Sequence, residues 1–338
     1  MMEAHRHEDL TGCKDAPRKA LPNPRRDKMP MTHWWQTLIS ARTFLITCLV
    51  AITGLATACS TVEPADSGKP TVLATFTVLA DIAQNVAGEH LEVQSLTKPG
   101  VEIHDYDPVP SDVRKAADAD LILANGLHLE AWLEQFLQDA DANSVTASEG
   151  VQTIGIAEGG SADKPNPHAW MSPLAAQMYV DNIAAAFAEL DPQHAADFEA
   201  NASAYKQELQ AVHDRLVTDL GALPQNQRAL VTCEGAFSYL AADAGLTEKY
   251  LWAVNSDGNP SAGRVAEVAT FVKEQQVPAV FCETTVPADT MRQVAAESGA
   301  TYAGELYVDS LSQEGGDVPT YLDLIRHDAE VIARALGQ

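Results

Sequence analysis

HAADFEANASAYKQELQAVHDRLVTDLG, residues 194–221, is the stretch that settles the architecture. Phe198, Ala202, Tyr205, Leu209, Val212, Leu216 and Leu220 follow one another in steps of three and four, which is one apolar stripe along a single helix. At 1.5 Å per residue a helix of this length spans roughly 40–45 Å, enough for a stiff strut between two domains. Gly221 and Pro224 end it. On its N-terminal side, Val72–Val78 alternates apolar residues with Thr and reads as a first strand, followed by a helix over Leu79–Ala87. Leu91–Leu96 reads as a second strand ended by Lys98-Pro99-Gly100, and Leu121–Ala124 as a third, buried one before an Asn125-Gly126 turn. Between them Ser111 is expected to cap a short helix through Ala117 with Asp112 in its first turn, and Leu129–Leu137 is expected to be helical.

On the C-terminal side the same alternation resumes. Ala229–Thr232, Tyr250–Val254, Ala279–Phe281 and Thr301–Leu306 read as strands. Helices are expected near Phe237–Ala244, Arg264–Gln275 and Met291–Ser298, with a terminal helix over Tyr321–Leu336. Strands alternating with helices on both sides of the strut predict an α/β fold with parallel sheets. The expected organisation is an N-terminal α/β lobe over 71–192, a linking helix over 193–223 and a C-terminal α/β lobe over 224–338.

The first 70 residues have a different character. Residues 1–28 are polar and rich in Pro, Arg and Lys, with translation expected to start at Met29 or Met31 rather than Met1. Phe44–Leu55 is an apolar run preceded by Arg42 and followed by Ala-Thr-Ala-Cys59, the layout of an export signal. The run is short for a bilayer span, which takes about 20 apolar residues. A Cys after small residues resembles a bacterial lipobox, so Cys59 is the expected site of lipid attachment and the mature N-terminus. Leu55 sits one place earlier than the usual lipobox leucine, and the alternative is ordinary secretion with cleavage near Ala58. Residues 1–58 then form a disordered extension plus signal peptide, and 59–70 a lipidated Cys and a tether containing Pro, Gly and Ser.

The 338-residue chain carries a net charge of −25. Without residues 1–59 it retains 14 basic and 42 acidic residues, a net −28. Nucleic-acid binding needs a basic face, so that class is excluded. An acidic surface draws cations over a short, salt-screened range.

Four segments carry the chemistry: Val101-Glu-Ile-His-Asp-Tyr-Asp-Pro108, Asn166-Pro-His-Ala-Trp170, Thr232-Cys-Glu-Gly-Ala-Phe-Ser-Tyr239 and Leu306-Tyr-Val-Asp-Ser-Leu-Ser312. Each offers one potential ligand at an expected strand end or turn: His104, His168, Glu234 and Asp309. In open α/β sheets ligands bind beyond the carboxyl ends of the strands. Two imidazoles and two carboxylates suit a divalent first-row metal, and drawing two from each half predicts a site in a cleft.

These segments, together with Pro319-Thr-Tyr-Leu-Asp-Leu324, resemble the metal-binding lipoproteins of bacterial manganese, iron and zinc ABC importers over roughly residues 71–338. The resemblance implies two pseudo-symmetric lobes joined by one long rigid helix, with the metal held between them by His104, His168, Glu234 and Asp309. Manganese- and iron-type members carry Glu where Glu234 stands, whereas zinc-type members usually carry a third His. The His-rich acidic loop common in zinc-type members has no counterpart, since Gln138–Lys164 contains no His. The resemblance therefore implies Mn2+, with Fe2+ and Zn2+ as alternatives, as transported ligand. It also implies an ABC permease with a cytoplasmic ATPase as partners, and a monomer lipid-anchored to the outer face of the cytoplasmic membrane. No enzymatic activity is expected; a metal-dependent hydrolase needs an open coordination position and a general base, which four protein ligands leave little room for. A surface adhesin with a structural metal is the other alternative.

Cys233 and Cys282 each end an expected strand and each precede a Glu. If those strands are neighbours, an exported protein can join them as a disulfide; if not, both stay as buried thiols. Glu283 is expected to accept backbone hydrogen bonds rather than bind metal, and His128 to lie on the surface. His90, His194, His213 and His327 are expected to be solvated, and Trp170 and Tyr239 to belong to the core.

Overall fold

Why the central strands lie where they do follows from their composition. TVLA and LILA are short continuous apolar runs, which suits strands buried on both faces of a parallel sheet. The computed structural model describes residues 68–104, 106–133, 136, 143–157, 162–224, 227–254 and 260–337. The export signal, Cys13, Cys48, Cys59 and nearly all of the tether lie outside the described residues, as do parts of Gln138–Lys164.

The first half contains β1 (Thr71–Ala74), α1 (Thr77–Ala87), β2 (Glu92–Ser95), α2 (Pro110–Asp118), β3 (Leu121–Ala124) and β4 (Ser144–Thr146). All pairings are parallel, in the order β2-β1-β3-β4. Successive side chains alternate between faces. Val72, Ala74, Leu121 and Leu123 enter the main core, whereas Leu73, Ile122 and Ala124 join a smaller cluster with Leu96, Ala116 and Leu133.

Three local expectations are corrected. The first strand stops at Ala74 instead of Val78: Thr75 N–H still donates to Leu123 O (3.1 Å), then Phe76 caps α1. Ser111 is not a cap but lies inside α2. Pro110 takes the first helical position, where its missing N–H costs nothing, and Asp112 instead accepts from Val109 N–H at 2.9 Å. Of the expected Leu129–Leu137 helix, 129–132 are turn, Leu133 and Phe136 are helical, and the rest lies outside the described residues.

The sequence reading also passed over β4 and the 18-residue helix α3 (Pro173–Leu190). The start signal for α3 was present. Ser172 caps it by accepting Ala175 N–H at 3.1 Å, and Pro173 occupies N1. Its buried face runs through Ala176, Tyr179, Val180, Ile183 and Phe187, partly masked in sequence by alanines on the other faces.

The long helix is α4 (Ala195–Gly221), 27 residues, and all seven residues of the stripe are buried. It packs against α3 and α1 of the first half and against the terminal helix α8 (Tyr321–Leu336). The strut is thus seated along both halves rather than spanning solvent.

The second half runs β5 (Ala229–Glu234), α5 (Ser238–Ala244), β6 (Thr247–Trp252), α6 (Ala262–Glu274), β7 (Ala279–Glu283), α7 (Asp289–Ser298), β8 (Thr301–Leu306) and α8. β5–β6 and β7–β8 are parallel pairs. Cys233 of β5 and Cys282 of β7 have Cα atoms 4.8 Å apart, the spacing of neighbouring strands. The spatial order β6-β5-β7-β8 therefore repeats β2-β1-β3-β4 of the first half. One hydrophobic core continues through both halves. No helix among the described residues is long and apolar enough to cross a membrane.

Candidate metal centre

His104 follows the buried Ile103, and its backbone N–H donates to Glu102 Oε1 at 3.0 Å. His168 is fully buried at the start of a 3-10 turn over Ala169–Met171. Its Nδ1 lies 2.9 Å from Asn166 Oδ1, which also accepts the His168 backbone N–H at 3.1 Å. Asn166 Nδ2 donates to Gly235 O (2.7 Å) and Ser238 Oγ (3.1 Å). With the amide NH2 committed to those acceptors, Oδ1 must face the histidine. That network assigns the proton of His168 to Nδ1 and leaves Nε2 with its lone pair directed at the cleft.

Glu234 is the last residue of β5, and its backbone N–H is held between both oxygens of Glu283 at 3.2 and 3.3 Å. Glu283 thus plays the backbone role expected of it. Asp309 lies three residues beyond β8, fully buried, and neither carboxylate oxygen has a hydrogen-bond partner. Its loop is fastened to the first half by Trp170 Nε1 to Val308 O (3.1 Å), Leu311 N to Thr77 Oγ1 (2.9 Å) and Gly100 N to Ser310 Oγ (2.6 Å).

One donor atom from each of His104, His168, Glu234 and Asp309 lies within 4.8 Å of all the others. His104 Nε2 and His168 Nε2 are 3.0 Å apart, His168 Nε2 is 3.4 Å from Asp309 Oδ1, and His104 Nε2 is 3.8 Å from Glu234 Oε1. Donors bonded to one ion at about 2.1 Å stand roughly 3 to 3.5 Å apart, so the set fits around a single cation with small adjustments.

The electrostatics match. Burial, and then the charge of His104, hold the His168 pKa well below its usual value, which keeps the imidazole neutral. Burial pushes the Asp309 carboxyl up, and burial followed by the charge of Asp309 does the same to Glu102. Glu283 is raised well above the carboxylate range by burial and then by Glu234. Several acids share a dry space that disfavours their ionised forms, and a divalent cation reverses that preference. An unpartnered buried carboxylate is the part of this arrangement that most requires a ligand.

Other residues fall elsewhere. Cys233 and Cys282 are bonded to each other behind Glu234, so neither sulfur is a thiolate ligand. His128 is exposed, and Trp170 and Tyr239 are buried as expected. The four remaining histidines are partly exposed. His90 stacks on His194 with ring centroids 4.0 Å apart, and their nitrogens pair with Asp197 and Asp191 at 3.1 and 2.6 Å. His213 lies 3.5 Å from Asp243, and His327 packs edge-on to Tyr307. Ring stacking and carboxylate partners keep these imidazoles against the protein surface. The sequence reading did not single out Asn166 or Glu102, although both lie inside segments it quoted, two residues before each histidine.

A sequence profile for the zinc-uptake complex component A periplasmic family matches residues 72–335. The iron-binding protein YfeA of Yersinia pestis is 45% identical over 294 residues, covering 86% of this chain and 94% of that protein. The manganese-binding lipoprotein MntA of Halalkalibacterium halodurans is 34% identical over 268 residues, covering 79% and 88%. Among solved structures, a Mn-bound periplasmic metal binding protein from candidatus Liberibacter asiaticus superposes with a TM-score of 0.74 at 37% identity, covering 79% of this chain and all of that one.

Proposed function

The chain belongs to the zinc-uptake complex component A family, and on that premise we propose that it is the extracytoplasmic solute-binding lipoprotein of an ABC importer for Mn2+ or Fe2+. The observation that carries this reading is the Asp309 carboxylate, buried without a hydrogen-bond partner and 3.4 Å from a histidine nitrogen whose lone pair is already set. His104, His168, Glu234 and Asp309 are the ligands of the transported ion. Two carboxylates neutralise a divalent charge, and their four oxygens allow coordination above four, which suits Mn2+ and Fe2+ better than tetrahedral Zn2+. The protein captures the ion and presents it to a membrane permease coupled to a cytoplasmic ATPase; Cys59 carries the lipid that keeps it on the outer face of the cytoplasmic membrane.

The compact four-donor set also supports Zn2+ as cargo, as the family description names it. Metal analysis of the protein purified from its native host separates the readings. One equivalent of Mn or Fe is expected. Zinc as the sole stoichiometric metal would establish the zinc reading, and no metal under replete growth would overturn both.

A further inference from the structure

Both histidines of the cage are reached from one turn. After β3 the chain passes through three consecutive left-handed residues, Gly126, Leu127 and His128, with φ of 82°, 55° and 64°. L side chains avoid that region, so Leu127 and His128 must be held there by contacts outside local preference. Leu129 N–H closes the turn onto Gly126 O at 3.1 Å. A Cβ at Gly126 would come within 2.4 Å of Thr146 Cγ2, so the turn is also pressed against β4.

Glu130, which is buried, holds the residues at the head of that turn. Its Oε1 accepts from Asn125 N–H and from Thr75 Oγ1, both at 2.7 Å, and its Oε2 accepts from Gly126 N–H at 3.1 Å. All three partners are donors, the complement of a carboxylate. From the two ends of the turn run two bonds to the metal centre. Asn125 Nδ2 donates to Pro167 O at 3.1 Å, while its Oδ1 is taken by Tyr179 O–H at 2.7 Å. Trp132 Nε1 donates to Ile103 O at 3.0 Å. Each acceptor is the carbonyl immediately before a cage histidine.

We propose that Glu130 is a positioning residue of the metal centre: by holding the Asn125–Trp132 turn, it sets the spacing of His104 and His168. The inference rests on the metal-binding reading above. Glu130 is no ligand; it acts on where the two imidazoles stand, through Asn125 on one side and Trp132 on the other.

The test uses MnCl2 as the probe, with free Mn2+ followed by electron paramagnetic resonance for the wild type, E130Q, W132F, H128G and the E130Q/W132F double variant. E130Q turns one acceptor oxygen into an NH2 facing donors and is expected to weaken Mn2+ binding about 10- to 100-fold, the range for groups behind a ligand. The low-temperature spectrum of Mn2+-saturated E130Q should also differ from wild type, a change that loss of fold stability alone does not produce. H128G keeps a left-handed residue without strain and should stay within about twofold of wild type. The double variant should lose less than the product of the single losses, because both act through one turn. If E130Q does not fold, Thr75→Val removes one donor to Oε1 and should weaken binding about 3- to 10-fold with the same spectral change. Wild-type affinity and spectrum in E130Q, or in Thr75→Val where that stands in, would overturn the positioning role. Failure of the wild type to bind Mn2+, Fe2+ or Zn2+ would overturn the metal-binding reading instead.

Discussion

The two sides of the metal cage are built on opposite terms. On the first-half side His168 has its far nitrogen bonded to Asn166, and the backbone ahead of each histidine is held by Asn125 or Trp132. On the second-half side Asp309 is buried with both oxygens unpartnered, and Glu234 is anchored through its backbone to another acid, Glu283. One side supplies His168 as a neutral, oriented donor. The other supplies negative charge whose burial is unfavourable until a cation arrives. Orientation and charge, the two requirements of a metal site, are assigned to different halves of the chain.

The sharpest way to break this contrast is to remove one member of each side. His168→Ala and Asp309→Asn should both weaken Mn2+ binding by more than about 100-fold, beyond the range for groups behind a ligand. They should differ without metal. Asp309→Asn relieves a buried, unpartnered charge and should raise the melting temperature of the metal-free protein, whereas His168→Ala opens a cavity beside Trp170 and should lower it. Calorimetric titration and thermal scans on both variants check this; equal stability changes would remove the contrast.

Glu234→His moves a donor from the charged class to the neutral class. The ratio of Zn2+ to Mn2+ affinity should rise by about tenfold or more in competition titrations, because imidazole favours the later metal. An unchanged ratio would place Glu234 outside the coordination sphere.

Acidity acts on the two sides with opposite sign from metal. Asp81 is raised from 3.8 to about 6, mainly by burial, and Asp309 and Glu102 are raised in the same direction. A carboxyl whose folded pKa lies above its unfolded value takes up its proton first in the folded state, so lowering the pH through about 6 favours folding of the metal-free protein. Metal needs the carboxylates ionised. The increase in melting temperature on adding Mn2+, which follows RT ln(1 + [M]/Kd), should therefore shrink as the pH falls. An increment that stays constant would mean the acids do not titrate with the site.

The smallest expected change is in shape. The halves are already joined without metal by Asn166 to Gly235, Trp170 to Val308, Thr77 to Leu311 and Asp81 to Tyr321. Small-angle scattering should show the radius of gyration changing by less than about 1 Å on Mn2+ addition, the scale of preorganised interfaces. Hydrogen exchange should slow in all four ligand segments. Wide closure, or protection confined to one half, would contradict a cage whose two sides are held together in advance.

Much of this was legible in the chain. The stripe from Phe198 to Leu220 has one periodicity and no rival, and the long helix follows it residue for residue. The four clustered candidates were legible because each sits in a distinctive segment. The helix Pro173–Leu190 was missed because its alanines blur the contrast between faces, although Ser172-Pro173 marked its start. Asn166 and Glu130 could not be assigned roles from sequence. Their partners Gly235 and Thr75 are 69 and 55 residues away, and no local pattern reports which carbonyl or hydroxyl an amide or carboxylate will meet.

The long helix has one more consequence, for what lengths of this chain can exist. Removing a single residue from Ala195–Gly221 would turn everything after it by about 100° and draw it in by about 1.5 Å. The four donors must meet within 4.8 Å, two from before the helix and two from after it. Surface loops of this protein can grow or shrink one residue at a time, but the helix cannot: it is a gauge block with a phase as well as a length. Shortening it by one residue would turn part of its buried stripe away from the shared core and separate the histidines from the acids.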